Sequence, residues 1–491
     1  MATTCNTADK QVEAQFQRFL DEIYPYAMQA EQDLKQKLLS SELEPVGFEI
    51  PLRNMRAEAM LFRESNIPLL AEEQKLNTEY DQIIGAQTVE WRGSENTLTQ
   101  LRAELKNPDR ATRRKVWQLI ADRQLADRAA INALWQKNLK LRLRIAAQAD
   151  QPDYRAYRWK SMLRFDYTPD DCLRFHNAIE EVVVPVAKRI YDRRRQRLGL
   201  ESLRPWDLDV DPDNRPAMTP FQRTDELIRG ISAIYHHVSP ILGENFDQMV
   251  QEGLLDPENR KNKAPGAYCT ALAVARRPFI FMNAIGLHDD VQTLLHEGGH
   301  AMHVFESSSL PYIQQTNVST EFAEVASMSM EFLGMPYLTH ALGGFYNPQE
   351  AARAQIEHIE KSILFWPYMA VVDAFQHWVY THPELALDPA NCDAEWGLLW
   401  LRFMDGVDWQ GSEDIMRTGW HLKLHIHTIP FYYIEYGLAQ LGAVQIWRNS
   451  LTDETDAVAA YRKALSLGGT IPLPKLFETA GAKLAFDVDT L

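Results

Sequence analysis

The amino-acid sequence predicts a mainly α-helical protein with one small β-sheet. Over most of the chain, apolar residues recur at the spacing that places them on one face of an amphipathic helix. Two short stretches, 266–270 and 278–282, instead carry the β-branched and aromatic residues that favour strands. With 491 residues, the chain is long enough for a large core and more than one lobe.

The helical pattern begins near the N-terminus. One apolar stripe at helical spacing is formed there by Val12, Phe16, Phe19, Leu20 and Ile23. Further along, Asn107-Pro108-Asp109 resembles a helix start, and we expect Asp109 to cap the helix that follows. Residues 201–222 are rich in proline and aspartate, which predicts a loop between two helical parts of the chain.

The composition indicates a soluble protein. A formal net charge of −16 and a pI near 5.4 oppose binding to nucleic acid and to anionic membranes. The N-terminus lacks the apolar core of a secretory signal, and no stretch approaches the roughly 20 apolar residues that span a bilayer. The four cysteines lie far apart, which predicts reduced thiols. We therefore expect a cytoplasmic protein without nucleic-acid or membrane partners.

The segment VQTLLHEGGHAMHVFE (291–306) carries a candidate metal site. On a helix, His296 and His300 lie about 40° apart, one turn along, so both imidazoles can bind one ion. Glu297 projects about 100° away, where its carboxylate can accept a proton from a metal-bound water. Gly298 and Gly299 cost about 1 kcal/mol each in a helix. They indicate either a close approach to the backbone or a local defect.

The third metal ligand decides the class of the site. A metzincin requires a third histidine ten residues after the first, and that position is Glu306. A gluzincin instead takes a glutamate from a second helix, and NVSTEFAEVASMSMEF (317–332) places Glu321, Glu324 and Glu331 on one face of such a helix. We assign Glu324 as the ligand and Glu321 as the carboxylate that orients a ligating histidine. Glu306 remains the alternative ligand.

The segment HLKLHIHTIPFYYIEYGLAQLGAVQIW (421–447) concentrates histidines and tyrosines. Tyr433 and Tyr436 are three residues apart on the helix that Pro430 introduces, so both hydroxyls can point to one side. Neutral hydroxyl and imidazole donors suit the oxyanion that forms when water attacks a carbonyl carbon. Core packing is the alternative explanation for such an aromatic cluster.

These segments together resemble the thimet oligopeptidase and oligoendopeptidase F family of zinc metallopeptidases. The matching pieces occur in the family's order and are HEGGHAMHVF, EFAEVAS, HTIPFYYIEYG and the C-terminal LSLGGTIPLPKLFETAG. KAPGAYC and PFIFMN resemble the substrate-side hairpin of that family. The resemblance covers residues 110–490 and is strongest from 262 onward.

The resemblance implies a two-lobed, gluzincin-type helical fold with a deep central channel and the small sheet beside the motif helix. It also implies a metalloendopeptidase that hydrolyses internal bonds of short unstructured peptides. We expect an N-terminal helical region at 1–110 and a metallopeptidase region at 111–491, with the zinc-site core at 262–440.

The same resemblance implies specific roles for the candidate residues. One zinc ion per chain is expected at His296, His300 and Glu324, with Glu297 as the general base and no other cofactor. The oxyanion-stabilising segment of the family is matched by His427, Tyr433 and Tyr436. Pro-Phe-Tyr-Tyr replaces the Gly- and Tyr-rich version of the thimet branch. The choice between His425 and His427, and the choice between Tyr433 and Tyr436, therefore stay open.

Two other functions compete with this interpretation. A helical zinc carboxypeptidase would share the first motif, but its second motif contains a His-Glu-Ser-Gln run that is absent here. A catalytically inactive peptide-binding protein is the other alternative. Glu297 argues against it, because a protein that only binds peptides needs no proton acceptor beside a metal.

Overall fold

The computed structural model describes the backbone of residues 1–491 and every side chain except that of Pro25. The fold is mainly α-helical, as the sequence predicts. The helices in the first half of the chain are α1 Ala2–Cys5, α2 Lys10–Glu22, α3 Tyr24–Ser40, α4 Glu49–Leu61, α5 Ile67–Gly85, α6 Leu98–Arg102, α7 Arg110–Ala126, α8 Arg128–Gln148, α9 Tyr154–Ser161, α10 Pro169–Ala178, α11 Val184–Arg197, α12 Thr224–Val238 and α13 Pro240–Gln251.

The helices of the second half include the two predicted for the metal site. They are α14 His288–Ser307, α15 Ile313–Thr316, α16 Thr320–Leu333, α17 Pro348–Thr381, α18 Pro383–Ala386, α19 Pro389–Phe403, α20 Glu413–Arg417, α21 Leu424–Thr428, α22 Tyr433–Ser450, α23 Glu454–Ser466 and α24 Leu473–Thr479. The strands are β1 Thr88–Trp91, β2 Ser94–Thr97, β3 Leu255–Glu258, β4 Tyr268–Leu272 and β5 Arg277–Ala284.

The chain forms two compact units, and each is assembled from separate stretches of sequence. The first unit contains Met1–Met60, Ala217–His358 and Leu438–Leu484. The second unit contains Leu61–Pro216, Ile359–Gly437 and Ala485–Leu491. The boundary that we expect near residue 110 concerns the extent of the metallopeptidase region, and it stays a prediction.

A three-stranded sheet lies in the first unit, and two of its strands, β4 and β5, are the ones that the sequence predicts. Its order is β3-β5-β4, with β4 antiparallel and β3 parallel to the central strand β5. Ile280, Phe281 and Met282 of β5 are at most 1% exposed, because this strand is covered by neighbouring elements. The helix α14 packs against both β5 and β4. The sheet therefore lies beside the helix that carries the two histidines.

The helix α14 begins where Asp290 accepts hydrogen bonds from three preceding backbone N–H groups, those of Ile285, Gly286 and Leu287. A carboxylate in this place satisfies free donors and interacts favourably with the helix dipole. The inward face of α14 is apolar and fully buried at Val291, Leu294, Leu295, Ala301 and Met302. The histidine pair thus lies on a helix that tertiary packing holds firmly.

The glycines of the motif have a packing explanation. A Cβ atom built on Gly299 would lie 2.6 Å from both the Ala326 oxygen and the Ser327 Cα of α16. A Cβ atom on Gly298 would overlap the Tyr235 hydroxyl. The helices α14 and α16 therefore approach each other backbone to backbone, which answers the question that the sequence leaves open about these two residues.

The second unit contains the predicted helix start and most of the predicted loop. Asp109 caps α7 by accepting from the backbone N–H groups of Ala111 and Thr112. The segment 201–222 contains a short 3₁₀ turn at Pro205–Asp207 and otherwise no regular element in the described backbone.

In the part of the chain that the structure describes, no helix combines the length and the apolar character needed to cross a membrane.

Candidate metal centre

The helices α14 and α16 of the first unit bring His296, His300 and Glu324 together. One possible ligand atom from each of them lies within 4.8 Å of the others. The Glu324 carboxylate oxygen Oε2 is 3.4 Å from His296 Nε2 and 3.8 Å from His300 Nε2. Tetrahedral zinc with bonds of about 2.0–2.1 Å places its ligand atoms roughly 3.3 Å apart. These separations therefore fit a single small ion.

The two imidazoles are held by hydrogen bonds on their far sides. His296 donates from Nδ1 to Glu331 Oε1 over 2.7 Å, so Nε2, which faces Glu324, is the nitrogen that remains for a metal ion. The His300 ring makes a hydrogen bond with the Ala323 backbone, one residue before Glu324. Bonds of this kind set the tautomer and the ring orientation of a metal-binding histidine.

Glu331, to which the sequence analysis gives no separate role, is the carboxylate partner of His296. The expectation that Glu321 orients a ligating histidine stays a prediction. Both residues lie on the same face of α16, two to three turns apart, so the helical pattern identifies the face but not the position along it. Glu321 is 2% exposed and lies one turn before Glu324.

The chemistry of the donor set fits a divalent cation. Burial raises the pKa of Glu324 and, despite the charge of His296, raises the pKa of Glu297 to about 7. Burial opposes the charged form of His296, but the hydrogen bond and charge of Glu331 raise its pKa to about 9. Several carboxylates thus share one buried place, an arrangement that is costly without a compensating cation. Two imidazoles and one carboxylate are a donor set that zinc accepts.

Glu297 lies beside the three possible ligands without belonging to them. It is 7% exposed, and the backbone of Cys269 in the edge strand β4 makes a hydrogen bond to its carboxylate. This contact ties the side chain to the sheet that packs on α14. A carboxyl group with a pKa near neutrality can both accept and return a proton, as a general base must.

Glu306, the alternative ligand, is occupied elsewhere. Its Oε1 accepts a hydrogen bond of 2.6 Å from Arg462 in α23. It does not belong to the group of possible ligand atoms that contains His296, His300 and Glu324. Glu306, which stands where a metzincin has its third histidine, therefore has a structural role in an ion pair with Arg462.

The histidines and tyrosines of 421–447 divide into two environments in the second unit. His427 is 1% exposed, lies 4.3 Å from the ring of Tyr80 in a stacked arrangement, and donates from Nε2 to the Trp420 oxygen. The ring of His425 instead lies 5.0 Å from that of Tyr433 and 5.9 Å from that of Tyr436. The structure therefore brings His425, rather than His427, against the two tyrosines.

The protonation of this cluster suits a neutral hydrogen-bond donor. Burial and the nearby Lys423 lower the pKa of His425 to about 4, so the imidazole is neutral at physiological pH. Burial raises the pKa of Tyr433 well above its ordinary value, so its hydroxyl keeps its proton.

Phe431, at the turn before α22, has a φ of 66°, which is unusual for a residue other than glycine. The N–H of Phe431 donates to Gln376 Oε1 over 2.6 Å, and this bond helps to hold the turn.

Known proteins resemble this chain in sequence and in fold. Oligopeptidase PepF of Bacillus subtilis (strain 168) is 28% identical over 165 residues, 32% of this chain and 23% of that protein. The oligoendopeptidase F homolog of Mycoplasma pneumoniae is 23% identical over 315 residues, 60% of this chain and 49% of that protein. The chain thus matches half or less of the length of these two relatives.

The fold likeness extends over the whole chain. A solved structure of PZ peptidase A with an inhibitor is 29% identical and has a TM-score of 0.88, over 100% of this chain and 86% of that chain. The model of peptidase family M3 matches residues 103–490, a range that contains every candidate site residue described above. Because this match spans well over half of the chain, the chain belongs to peptidase family M3.

Proposed function

We propose that the protein is a zinc-dependent oligopeptidase that hydrolyses internal bonds of short unstructured peptides. The observation that carries this proposal is the convergence of His296, His300 and Glu324, with Glu297 beside them. Membership of peptidase family M3 supports peptide-bond hydrolysis. The names of two relatives, an oligopeptidase and an oligoendopeptidase F homolog, support short substrates and internal cleavage.

One Zn²⁺ per chain would be held by His296, His300 and Glu324. When bound, zinc supplies Lewis acidity, which activates a water molecule and polarises the peptide carbonyl group. Glu331 and the Ala323 backbone keep the two imidazoles in the orientation that zinc binding requires. The ion requires neutral imidazoles and an ionised carboxylate, so we expect its binding to release protons.

Glu297 acts as the general base. Its carboxylate accepts a proton from the attacking water and returns it to the leaving amine, which makes the amine a good leaving group. The hydrogen bond with the Cys269 backbone limits the rotation of the Glu297 side chain, so the accepting oxygen stays in place between the two proton transfers.

Neutral hydrogen-bond donors would stabilise the oxyanion that forms on the substrate. We assign this role to His425, Tyr433 and Tyr436, with His425 in the place that the family resemblance gives to His427. The observations behind this choice are the contacts of the His425 ring with both tyrosines and the deep burial of His427. Uncharged donors suit the role because they stabilise developing negative charge without repelling the metal.

The expected substrates are short peptides in the cytoplasm, without a nucleic-acid or membrane partner. The four cysteines form no disulfide bond in the described structure, and a reducing cytoplasm would keep them as thiols. The net charge of −16 opposes binding to nucleic acid and to anionic lipid.

The Glu297→Gln variant tests the proposed function. We expect it to keep one equivalent of zinc, measured by atomic absorption, and to lose at least about a thousand-fold in kcat/KM on an internally quenched peptide, since the base is gone. Glu244→Gln, on an exposed position of the same unit, is the matched control and should keep full activity. Full activity of Glu297→Gln would contradict the mechanism.

Digestion of a mixed peptide library tests the type of cleavage. Internal cuts, identified by mass spectrometry, are the expected result for an oligoendopeptidase. Stepwise loss of C-terminal residues would instead show a carboxypeptidase and would overturn the proposed specificity, while the metal-dependent hydrolysis would stand.

A further inference from the structure

The second unit contains a cavity that the proposed metal centre does not use. Its volume is about 600 Å³, and every residue that lines it belongs to this unit. Five aromatic residues contribute to the lining, namely Trp117, Tyr368, Trp396, Trp400 and Trp409. A cavity of this size and composition is typical of sites for small organic molecules.

The aromatic residues form one continuous wall. The rings of Trp396 and Trp400 are 6.2 Å apart, and Trp400 meets Trp409 edge to face at 5.4 Å. Trp409 also contacts Trp117 at 6.1 Å. Such a wall offers the faces and edges of large rings, which favour a planar or bulky apolar group of a ligand.

The polar part of the lining has an excess of positive charge. Arg102, Lys106 and Lys423 line the cavity, and Asp209 is the only carboxylate among the described lining residues. In the described part of the chain, no carboxylate lies within 4.0 Å of any of these three cations. Cations that line a cavity without acidic partners favour an anionic ligand.

Lys423 is the least exposed of the three cations, since Arg102 and Lys106 are exposed to solvent. Its Nζ lies 3.8 Å from the centre of the Tyr433 ring and 5.2 Å from that of Tyr368. Contact with two ring faces replaces only part of the hydration that an exposed ammonium has. Burial therefore lowers the pKa of Lys423 to about 8. An anion beside the ammonium would restore the stabilisation that water gives to an exposed lysine.

The same cavity therefore combines an aromatic wall with cations that have no acidic partner among the described residues.

We propose that this cavity binds a carboxylate carried by an aromatic group. The carboxylate pairs with the Lys423 ammonium, and the ring packs against the tryptophan wall. The C-terminal phenylalanine of a peptide and a free aromatic acid both present this chemistry. The ligand would also contact the neighbourhood of Tyr433, since Lys423 lies over that ring.

Isothermal titration of the full-length protein with 3-phenylpropionate tests the proposal. We expect one molecule bound per chain, and binding at least ten-fold weaker for 3-phenylpropanamide, which has the same ring but no charge. Equal affinity for the acid and the amide, or no binding of the acid up to about 10 mM, would overturn the proposal.

Variants locate the site. Lys423→Met keeps most of the side-chain length without the charge, and we expect it to reduce affinity for the acid at least ten-fold, to the level of the amide. Trp409→Ala, which removes part of the wall, should weaken both compounds. Lys137→Met, on an exposed position of the same unit, is the control and should bind as the parent protein does. Unchanged binding in both cavity variants would overturn the proposal.

A competition experiment separates the two sources of the carboxylate. N-acetyl-Gly-Gly-Phe and its C-terminal amide are added to the Glu297→Gln variant together with 3-phenylpropionate. Displacement by the free acid alone identifies a peptide C-terminus as the ligand, and displacement by neither peptide identifies a free aromatic acid. Displacement by the amide as well as the acid contradicts recognition of a carboxylate. Cleavage of the peptides, detected by mass spectrometry, would count against the role of Glu297 and leaves the 3-phenylpropionate titrations intact.

Discussion

Glu331 is not one of the possible metal ligands, but its carboxylate contacts one of them directly. Its carboxylate accepts the Nδ1–H of His296 over 2.7 Å and lies 3.7 Å from His358 Nδ1. A negative charge at this place raises the basicity of the imidazole and makes it a better metal ligand.

We predict that Glu331→Gln weakens zinc binding about 10- to 100-fold, because the amide can accept the same hydrogen bond but carries no charge. Competition with a chelator of known affinity measures the change. Glu244→Gln is again the control, since it also removes one negative charge from the first unit. Unchanged zinc affinity in Glu331→Gln would show that the contact with His296 has no electrostatic role.

His425 and His427 differ in a way that two substitutions can separate. We predict that His425→Ala lowers kcat about 100-fold with little loss of stability, because a donor to the oxyanion acts in the transition state. His427→Ala should instead lower the free energy of unfolding by about 3 kcal/mol, because it leaves a cavity in a buried aromatic stack. Steady-state kinetics and urea unfolding are measured on both variants. The opposite pattern would return the catalytic role to His427.

At the scale of elements, the contact of α14 with α16 determines the distances between the possible ligands. The histidines lie on one helix and Glu324 on the other, so a change in the helix separation changes the distances of 3.4 and 3.8 Å directly. Gly299 permits this close approach, since any side chain there would meet the backbone of α16.

We predict that Gly299→Ala pushes the two helices apart, costs about 1–3 kcal/mol of stability and weakens zinc binding. Gly85→Ala is the matched control, because a Cβ atom there meets nothing within 4 Å. The control should be neutral or slightly stabilising, since alanine restricts the unfolded chain. Thermal unfolding with and without zinc measures both effects. Equal melting temperatures for the two variants would contradict this account of the helix contact.

The elements near the site were predictable to different degrees. The helices α14 and α16 follow from apolar periodicity, and the hairpin of β4 and β5 from its β-branched and aromatic residues. The parallel pairing of β3 with β5 was not predicted. Its sequence, Leu255-Asp256-Pro257-Glu258, has no strand signal, and tertiary contacts with β5 give it its extended shape.

At the scale of the whole molecule, buried ion pairs tie distant parts of each unit together. In the second unit, Asp207 is 0% exposed and accepts hydrogen bonds of 2.8 and 2.9 Å from Arg110 and Arg113. These bonds join the start of α7 to the proline-rich segment at 201–222. Burial alone would raise the pKa of Asp207, but the hydrogen bonds from both arginines outweigh it and lower this pKa.

We predict that Asp207→Asn lowers the free energy of unfolding by about 3 kcal/mol at pH 7, because Arg113 stays buried without its partner. The folded-state pKa lies below that of the unfolded chain, so the carboxylate stabilises the fold above about pH 4, and the stabilisation is lost as pH falls through the folded-state pKa. The difference between parent and variant should therefore shrink below about pH 4.

Urea unfolding at several pH values measures this difference. The control is Asp213→Asn, which removes an exposed ion pair with Arg197 and should have no measurable effect. A difference between the parent protein and Asp207→Asn that stays constant from neutral to acidic pH would contradict the assignment to the charge of Asp207.

The sequence by itself determined the features that depend on local spacing. His296 and His300 share a helix face because they are four residues apart, and Glu297 lies beside that face for the same reason. The mainly helical fold, the hairpin before α14 and the family follow likewise from short-range patterns and motifs. None of these depends on which distant segments meet.

Only the tertiary structure decided which distant groups meet. It placed Glu331 beside His296, engaged Glu306 in an ion pair with Arg462, and placed His425 against the tyrosines. The cavity around Lys423 likewise joins residues more than 300 positions apart. The physical reason is that helical periodicity shows which face of a helix is buried but not which segment covers that face. Side-chain packing across the whole chain selects the covering segment.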